Sequence, residues 1–144
     1  MARVTFSAFE TYAALVGLSA SVSPEPQNSD YESGLVEIGG EAWHIRTARN
    51  TPTKPGAFVA FWRRDADAKT VPFDDPSAGL LVFVEQEGGR GVFRFTAEHL
   101  AGLGVTSGRG AGKRGFRVYP SWCDGLNRQA TATQRVQAPA FQEY

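Results

Sequence analysis

With 144 residues, 42% of them hydrophobic and 21% charged, the chain is long enough for one compact domain with a real core, and it lacks the roughly 20-residue apolar run that crosses a bilayer. A single cysteine excludes an internal disulfide, and two distant histidines without further cysteines exclude a zinc site of the usual Cys/His kind. The formal net charge of zero excludes a uniformly basic or acidic surface but not a polarised one.

Met1–Thr5 has neither an apolar core nor a cleavage site, so no signal peptide is expected. Apolar residues at Phe6, Phe9, Tyr12, Ala13 and Val16 recur at spacings of three and four, which predicts an amphipathic helix over Phe6–Leu18 ending near Gly17. Ser19–Asn28, rich in Ser and Pro, reads as a loop, and Ser29 or Asp30 as the cap of a short turn. Leu35–Ile38 and Ala42–Arg49 read as strands joined by Gly39-Gly40. Thr51–Gly56 must be a loop, Phe58–Trp62 alternates like a strand, and Asp65–Ser77 reads as an irregular acidic loop. Leu80–Gln86 is an apolar core strand, turned through Gly88–Gly91 into Val92–Phe95. Thr96 suits the N-cap of a helix over Ala97–Leu103, with Gly104 at its end. A glycine-rich loop, Ser107–Gly112, precedes a strand over Phe116–Tyr119. The tail reads as a helix from Asn127 to Gln137, broken by Pro139. One helix, several hairpin strands, a short helix, a strand and a last helix, with no repeat or long linker, predict a single α+β domain over 1–144: a mixed or antiparallel sheet flanked by helices.

Charge is segregated along the chain. Residues 46–64 hold Arg46, Arg49, Lys54, Arg63 and Arg64 and no acid, and residues 90–135 hold eight bases against Glu98 and Asp124. Residues 1–45 and 65–87 are acidic. The two basic segments, Arg46–Arg64 and Arg109–Arg117, therefore read as a binding surface for an anion. Gly108–Gly115 has a P-loop flavour, but Arg114 stands where a Ser or Thr should hold magnesium and no helix follows, so nucleotide hydrolysis is rejected. Its exposed N–H groups with Lys113, Arg114 and Arg117 still suit a phosphate. Thr51, Thr53 and Lys54 on a prolyl-stiffened loop suit one too. Arg117 and Tyr119 share a strand face opposite Phe116 and Val118, and arginine beside aromatics suits unpaired nucleic acid. Tyr119 and Trp122 either stack on that ligand or pack beneath the last helix. Gln129 and Thr133 share a helix face and, with Gln134, either reach the ligand or brace the loops. Cys123 reads as a small buried hydrophobe, and His44 and His99 as structural or surface residues. Glu85 and Glu87, two apart, either share a strand face that binds a metal or form a solvated strand end.

The segment Arg46-Thr-Ala-Arg49-Asn-Thr51-Pro-Thr53-Lys54-Pro-Gly56-Ala-Phe58-Val59-Ala-Phe-Trp62-Arg63-Arg64 strongly resembles the MepB-like family. So do Pro72-Phe73-Asp74, Gly91-Val-Phe93-Arg-Phe95, the run Gly112–Pro120 with Trp122, and Gln129–Gln137 with Phe141; upstream, Pro24-Glu25 through Tyr31-Glu32-Ser33 fits as well. The lone Cys123 fits a reducing cytoplasm, and the resemblance implies a bacterial protein of a family named for a gene beside a multidrug efflux transporter and its repressor. It also implies a fold like the PD-(D/E)XK nuclease core, binding nucleic acid without the nuclease's catalytic set. That set needs an acidic residue, a second acidic residue and a lysine around magnesium. Here Glu85-Gln86-Glu87 has Glu where Lys belongs, and Thr47-Ala48-Arg49 has no acid.

The sequence therefore favours a non-catalytic nucleic-acid-binding protein, with single-stranded DNA or RNA as partner and no metal, cofactor or membrane. Arg46, Arg49, Lys54, Arg63, Lys113, Arg114 and Arg117 would contact phosphates, assisted by Thr51, Thr53, Tyr119, Trp122, Gln129, Thr133 and Gln134. The alternatives are a magnesium nuclease using Glu32, Glu85 or Glu87 with Lys54, and a small-anion or drug-binding accessory protein.

Overall fold

The computed structural model describes residues 5–144, so the N-terminal reading at Met1–Val4 lies outside the described residues. Helix α1 spans Ser7–Val16 and buries Ala8, Phe9 and Ala13. It stops where Gly17 turns left-handed and returns its N–H to Ala13 O, as the glycine predicted. The Ser19–Asn28 segment is not all loop: Val22–Pro24 forms strand β1. Pro24 is tolerated because β1 lies at a sheet edge, where a missing N–H costs no ladder bond. A single 3-10 turn, Ser29–Tyr31, follows Asn28, and neither Ser29 nor Asp30 caps it.

Strands β2 (Gly34–Ile38) and β3 (Glu41–Thr47) form the expected hairpin around Gly39-Gly40. Then come β4 (Arg49–Asn50), β5 (Ala57–Ala60), β6 (Trp62–Arg64), and β7 (Thr70–Pro72), which pairs with β6. The Phe58–Trp62 strand is thus broken at Phe61, and the acidic loop contains a strand. Asp65 there orders a tight turn, its carboxylate accepting from the Asp67 and Lys69 N–H groups. Strands β8 (Gly79–Gln86) and β9 (Gly89–Thr96) pair around Glu87-Gly88, both at positive φ. Glu87 therefore sits in the turn and not two along a strand from Glu85, so the shared-face reading fails. Helix α2 (Ala97–Gly102) is capped by Thr96, whose hydroxyl accepts from His99 N. Strand β10 (Gly115–Val118) and helix α3 (Arg128–Gln137) follow, the latter capped by Asn127. Beyond Pro139 the chain resumes as strand β11 (Phe141–Glu143), an element the tail's composition did not signal.

The main sheet runs β1-β2-β3-β8-β9-β11 and is mixed, since β3 and β8 are parallel and every other pair antiparallel. Strand β8 is buried on both faces. Leu81 and Phe83 pack with Phe9, Trp43 and Ile45 beneath α1. Leu80, Val82 and Val84 face the other way, into a core shared with Val59, Phe61, Phe116 and Val118. Those four residues come from the β10-β5-β4 sheet and its exit, which form a second layer over the first. This is the predicted α+β fold with a mixed sheet. Among the described residues no helix is long and apolar enough to cross a membrane.

The second layer changes the meaning of β3. Trp43 and Ile45 face α1, so His44 and Arg46 face the other side, between the two sheets. Arg46 has no exposed surface. Its guanidinium forks onto Glu25, with Nη1 2.7 Å from Oε1 and Nη2 3.4 Å from Oε2. It donates further to Asn28 Oδ1 and to the carbonyls of Ile45 and Ala60, and it lies over the Phe61 ring. His44 Nδ1 lies 3.0 Å from the same carboxylate oxygen of Glu25. Burial alone would raise the Glu25 carboxyl, but the bonds from His44 and Arg46 and the Arg46 charge outweigh it, leaving the group below its ordinary value. Arg46 is a structural cation that ties residues 25–28 to the core, and it is unavailable to an external phosphate.

Candidate functional site

Strand β10 alternates: Phe116 and Val118 are buried, while Gly115 and Arg117 face outward. In register across the small sheet, Arg117 pairs with Phe58 and Phe58 with Arg49, so these three side chains share the outer face. Helix α3 crosses beside that face. Between them lies a concavity of about 490 Å³, lined by Lys54, Lys113, Arg117, Tyr119, Gln129 and Thr133, with Pro55, Asn127 and Ala130. The three cations come from three places in the chain, and no carboxylate lines the wall. Among the described residues Lys54, Lys113 and Arg117 have no carboxylate at ion-pair distance, so their field is directed at whatever enters.

Three buckles hold the walls. Arg117 Nη2 donates to Thr51 Oγ1 at 2.6 Å and to Pro55 O at 2.8 Å, closing the Thr51–Gly56 loop against β10. Gln86 donates to Gly56 O at 2.9 Å and accepts the Trp122 indole N–H at 3.0 Å. Gln137, almost wholly buried, donates to Arg117 O at 2.8 Å and accepts from Tyr119 N at 3.0 Å, which docks the end of α3 onto β10. Gly56 makes the loop's close approach possible. Its φ is +75°, and a Cβ there would lie 2.6 Å from Val118 O.

Of the residues expected from sequence, Lys54, Lys113, Arg117, Tyr119, Gln129 and Thr133 converge here. Arg49 extends the same face through Phe58, Thr51 holds Arg117, and Thr53 is exposed on the loop. Arg63 and Arg114 do not join them. Arg63 lies 3.5 Å from Asp74, and Arg114 donates to Thr70 on β7. Gln134 is a brace, its amide donating to the carbonyls of Pro120 and Cys123. Trp122 packs edge-on against Phe141 and, half-buried, lines a second concavity beyond Lys54. Gly112 of the glycine-rich loop packs against Pro72. Sequence reasoning missed Gln86 and Gln137. A glutamine closing a strand of six buried residues, and one ending a helix just before a proline, were the signals available.

Among the described residues there is no group of three or more His, Cys, Asp or Glu side chains placed to hold a metal ion. Glu32 accepts from Ser7 and Thr47, and Glu85 pairs across the β8–β9 hairpin with Arg90. Burial raises the Cys123 thiol, and the charges of Glu87 and Asp124 raise it further, which disfavours the thiolate a nucleophile needs.

A family model described as MepB-like matches residues 25–143. A crystal structure of MepB is 30% identical to the chain, covers 96% of it and 97% of its own length, and superposes with a TM-score of 0.85. No curated protein matches the chain. The chain belongs to the MepB-like family.

Proposed function

We propose that this member of the MepB-like family is a non-catalytic nucleic-acid-binding protein that holds the phosphates of an unpaired strand between β10, the Thr51–Gly56 loop and α3. The observation that carries this reading is the convergence of Lys54, Lys113 and Arg117 on one concavity whose wall has no carboxylate. A phosphodiester supplies the opposite charge, and the release of its counterions drives binding. Tyr119 offers a half-buried ring for stacking, while Gln129 and Thr133 offer amide and hydroxyl groups to a base edge or sugar. We read the mixed sheet, with its parallel β3–β8 pair, as a nuclease-type core, and Glu87, standing where the catalytic lysine belongs, supports a grip without cutting. The lone Cys123, which can form no internal disulfide, supports a reducing cytoplasm as the compartment.

The test is fluorescence anisotropy with labelled single-stranded DNA and RNA. Binding is expected, and Lys54→Ala with Lys113→Ala should weaken it by at least about tenfold, since each lost phosphate contact is a substantial part of the electrostatic affinity. Full affinity in that double variant would sink the reading. A small-anion accessory role uses the same concavity and differs in one respect: inorganic phosphate would then bind as tightly as a long strand.

A further inference from the structure

A second concavity, of about 280 Å³, adjoins the first across Lys54 and Pro55, which line both. The chemistry changes at that ridge. On the near side stand three cations. On the far side stand Trp122, Gln86, Asn50, Cys123 and two carboxylates, Glu87 and Asp124. Both carboxylates stand on the wall of this concavity beside Cys123, so the potential on the side away from Lys54 is negative. A phosphate held at Lys54 is therefore repelled from going further, and what crosses the ridge must be uncharged or carry donors.

The frame is set before any ligand arrives. Gln86 joins the Gly56 carbonyl to the Trp122 indole, and Asn50 donates to Glu85 O at 2.8 Å. The volume falls just short of the roughly 300 Å³ at which drug-sized pockets begin, which suits a single ring system. Ionised carboxylates accept hydrogen bonds and never donate. Cytosine, adenine and guanine each present an exocyclic amino group to them. Thymine and uracil present two carbonyls around a single N–H, which two carboxylates repel.

Resting on the phosphate-binding reading above, we propose that the concavity formed by Trp122, Glu87 and Asp124 takes one unpaired nucleobase bearing an amino group, attached to the phosphate held at Lys54. It gives the strand its base preference, while the cationic concavity gives it affinity.

The experiment compares a short oligothymidine with the same oligonucleotide carrying one central dC or dA, by anisotropy at fixed salt. The single substitution should tighten binding by roughly fivefold or more, the value of one good base contact. Glu87→Gln with Asp124→Asn, both exposed positions, should erase that gain and leave oligothymidine bound at least as tightly as before. Equal affinity for the three oligonucleotides, or a gain that survives the double variant, overturns the base pocket while the phosphate grip stands. Failure of every oligonucleotide to bind overturns the grip and the pocket together.

Discussion

Replacing Arg46 by Met separates a structural cation from a ligand-binding one. The side chain is fully buried and donates to Glu25, Asn28 and the carbonyls of Ile45 and Ala60. Methionine roughly fills the volume but leaves the Glu25 carboxylate buried with only His44 and Gln27 beside it. Removing one partner of a buried ion pair costs about 3–5 kcal/mol, because the remaining charge cannot be hydrated. At about 3 °C per kcal/mol for a chain of this length, the melting temperature should fall by about 10–15 °C. Circular dichroism melts would show this, with Lys113→Ala, an exposed site, as a control that moves little. Glu25→Leu combined with Arg46→Met should recover part of the loss, since both charges are then gone. A variant that melts like the parent but no longer binds nucleic acid would refute the burial account and return Arg46 to the surface.

Three further outcomes follow from the same contacts. The Glu25 carboxyl is depressed below its ordinary value of 4.5, so its contribution to stability is complete above that value and is lost as pH falls through the depressed one. Urea titrations from neutral to acid pH should show that loss, and Glu25→Gln should reduce it. Gln137→Ala removes the partners of Arg117 O and Tyr119 N and should cost about 2–4 kcal/mol, with faster hydrogen exchange at the Tyr119 amide. Gly56→Ala places a Cβ against Val118 O at a positive φ. It should destabilise by more than about 1 kcal/mol and weaken oligonucleotide binding by shifting Lys54, which paired melts and anisotropy would report.

Most elements were legible because local chemistry names them. Gly17 and Thr96 mark helix ends, Gly39-Gly40 marks a hairpin, and the apolar run of β8 can only be interior. What escaped was the covering of faces. A period of two shows that His44 and Arg46 share a side of β3, but not that a second sheet lies over that side and turns a basic surface into a buried ion pair. Strands β7 and β11 are three residues long and depend on partners elsewhere in the chain, so their sequences carry little signal. The site was half legible for the same reason. The outward position of Arg117 follows from alternation within β10, and Tyr119 continues that face one residue past the strand's end. The meeting of Lys54 with Lys113, and the departure of Arg63 and Arg114 to the β6–β7 side, depend on tertiary pairing. Gln86 and Gln137 look like ordinary polar residues until the backbone groups they satisfy are in place.

The central claim is that three cations in one concavity hold the phosphates of a strand, and the salt dependence of binding tests it most directly. For single strands the slope of log K against log salt is about −0.7 per phosphate neutralised, so Lys54, Lys113 and Arg117 together predict about −2. Lys54→Ala with Lys113→Ala should flatten that slope to about −0.7, one contact remaining. A slope near zero in the parent protein, or an unchanged slope in the double variant, would contradict the account.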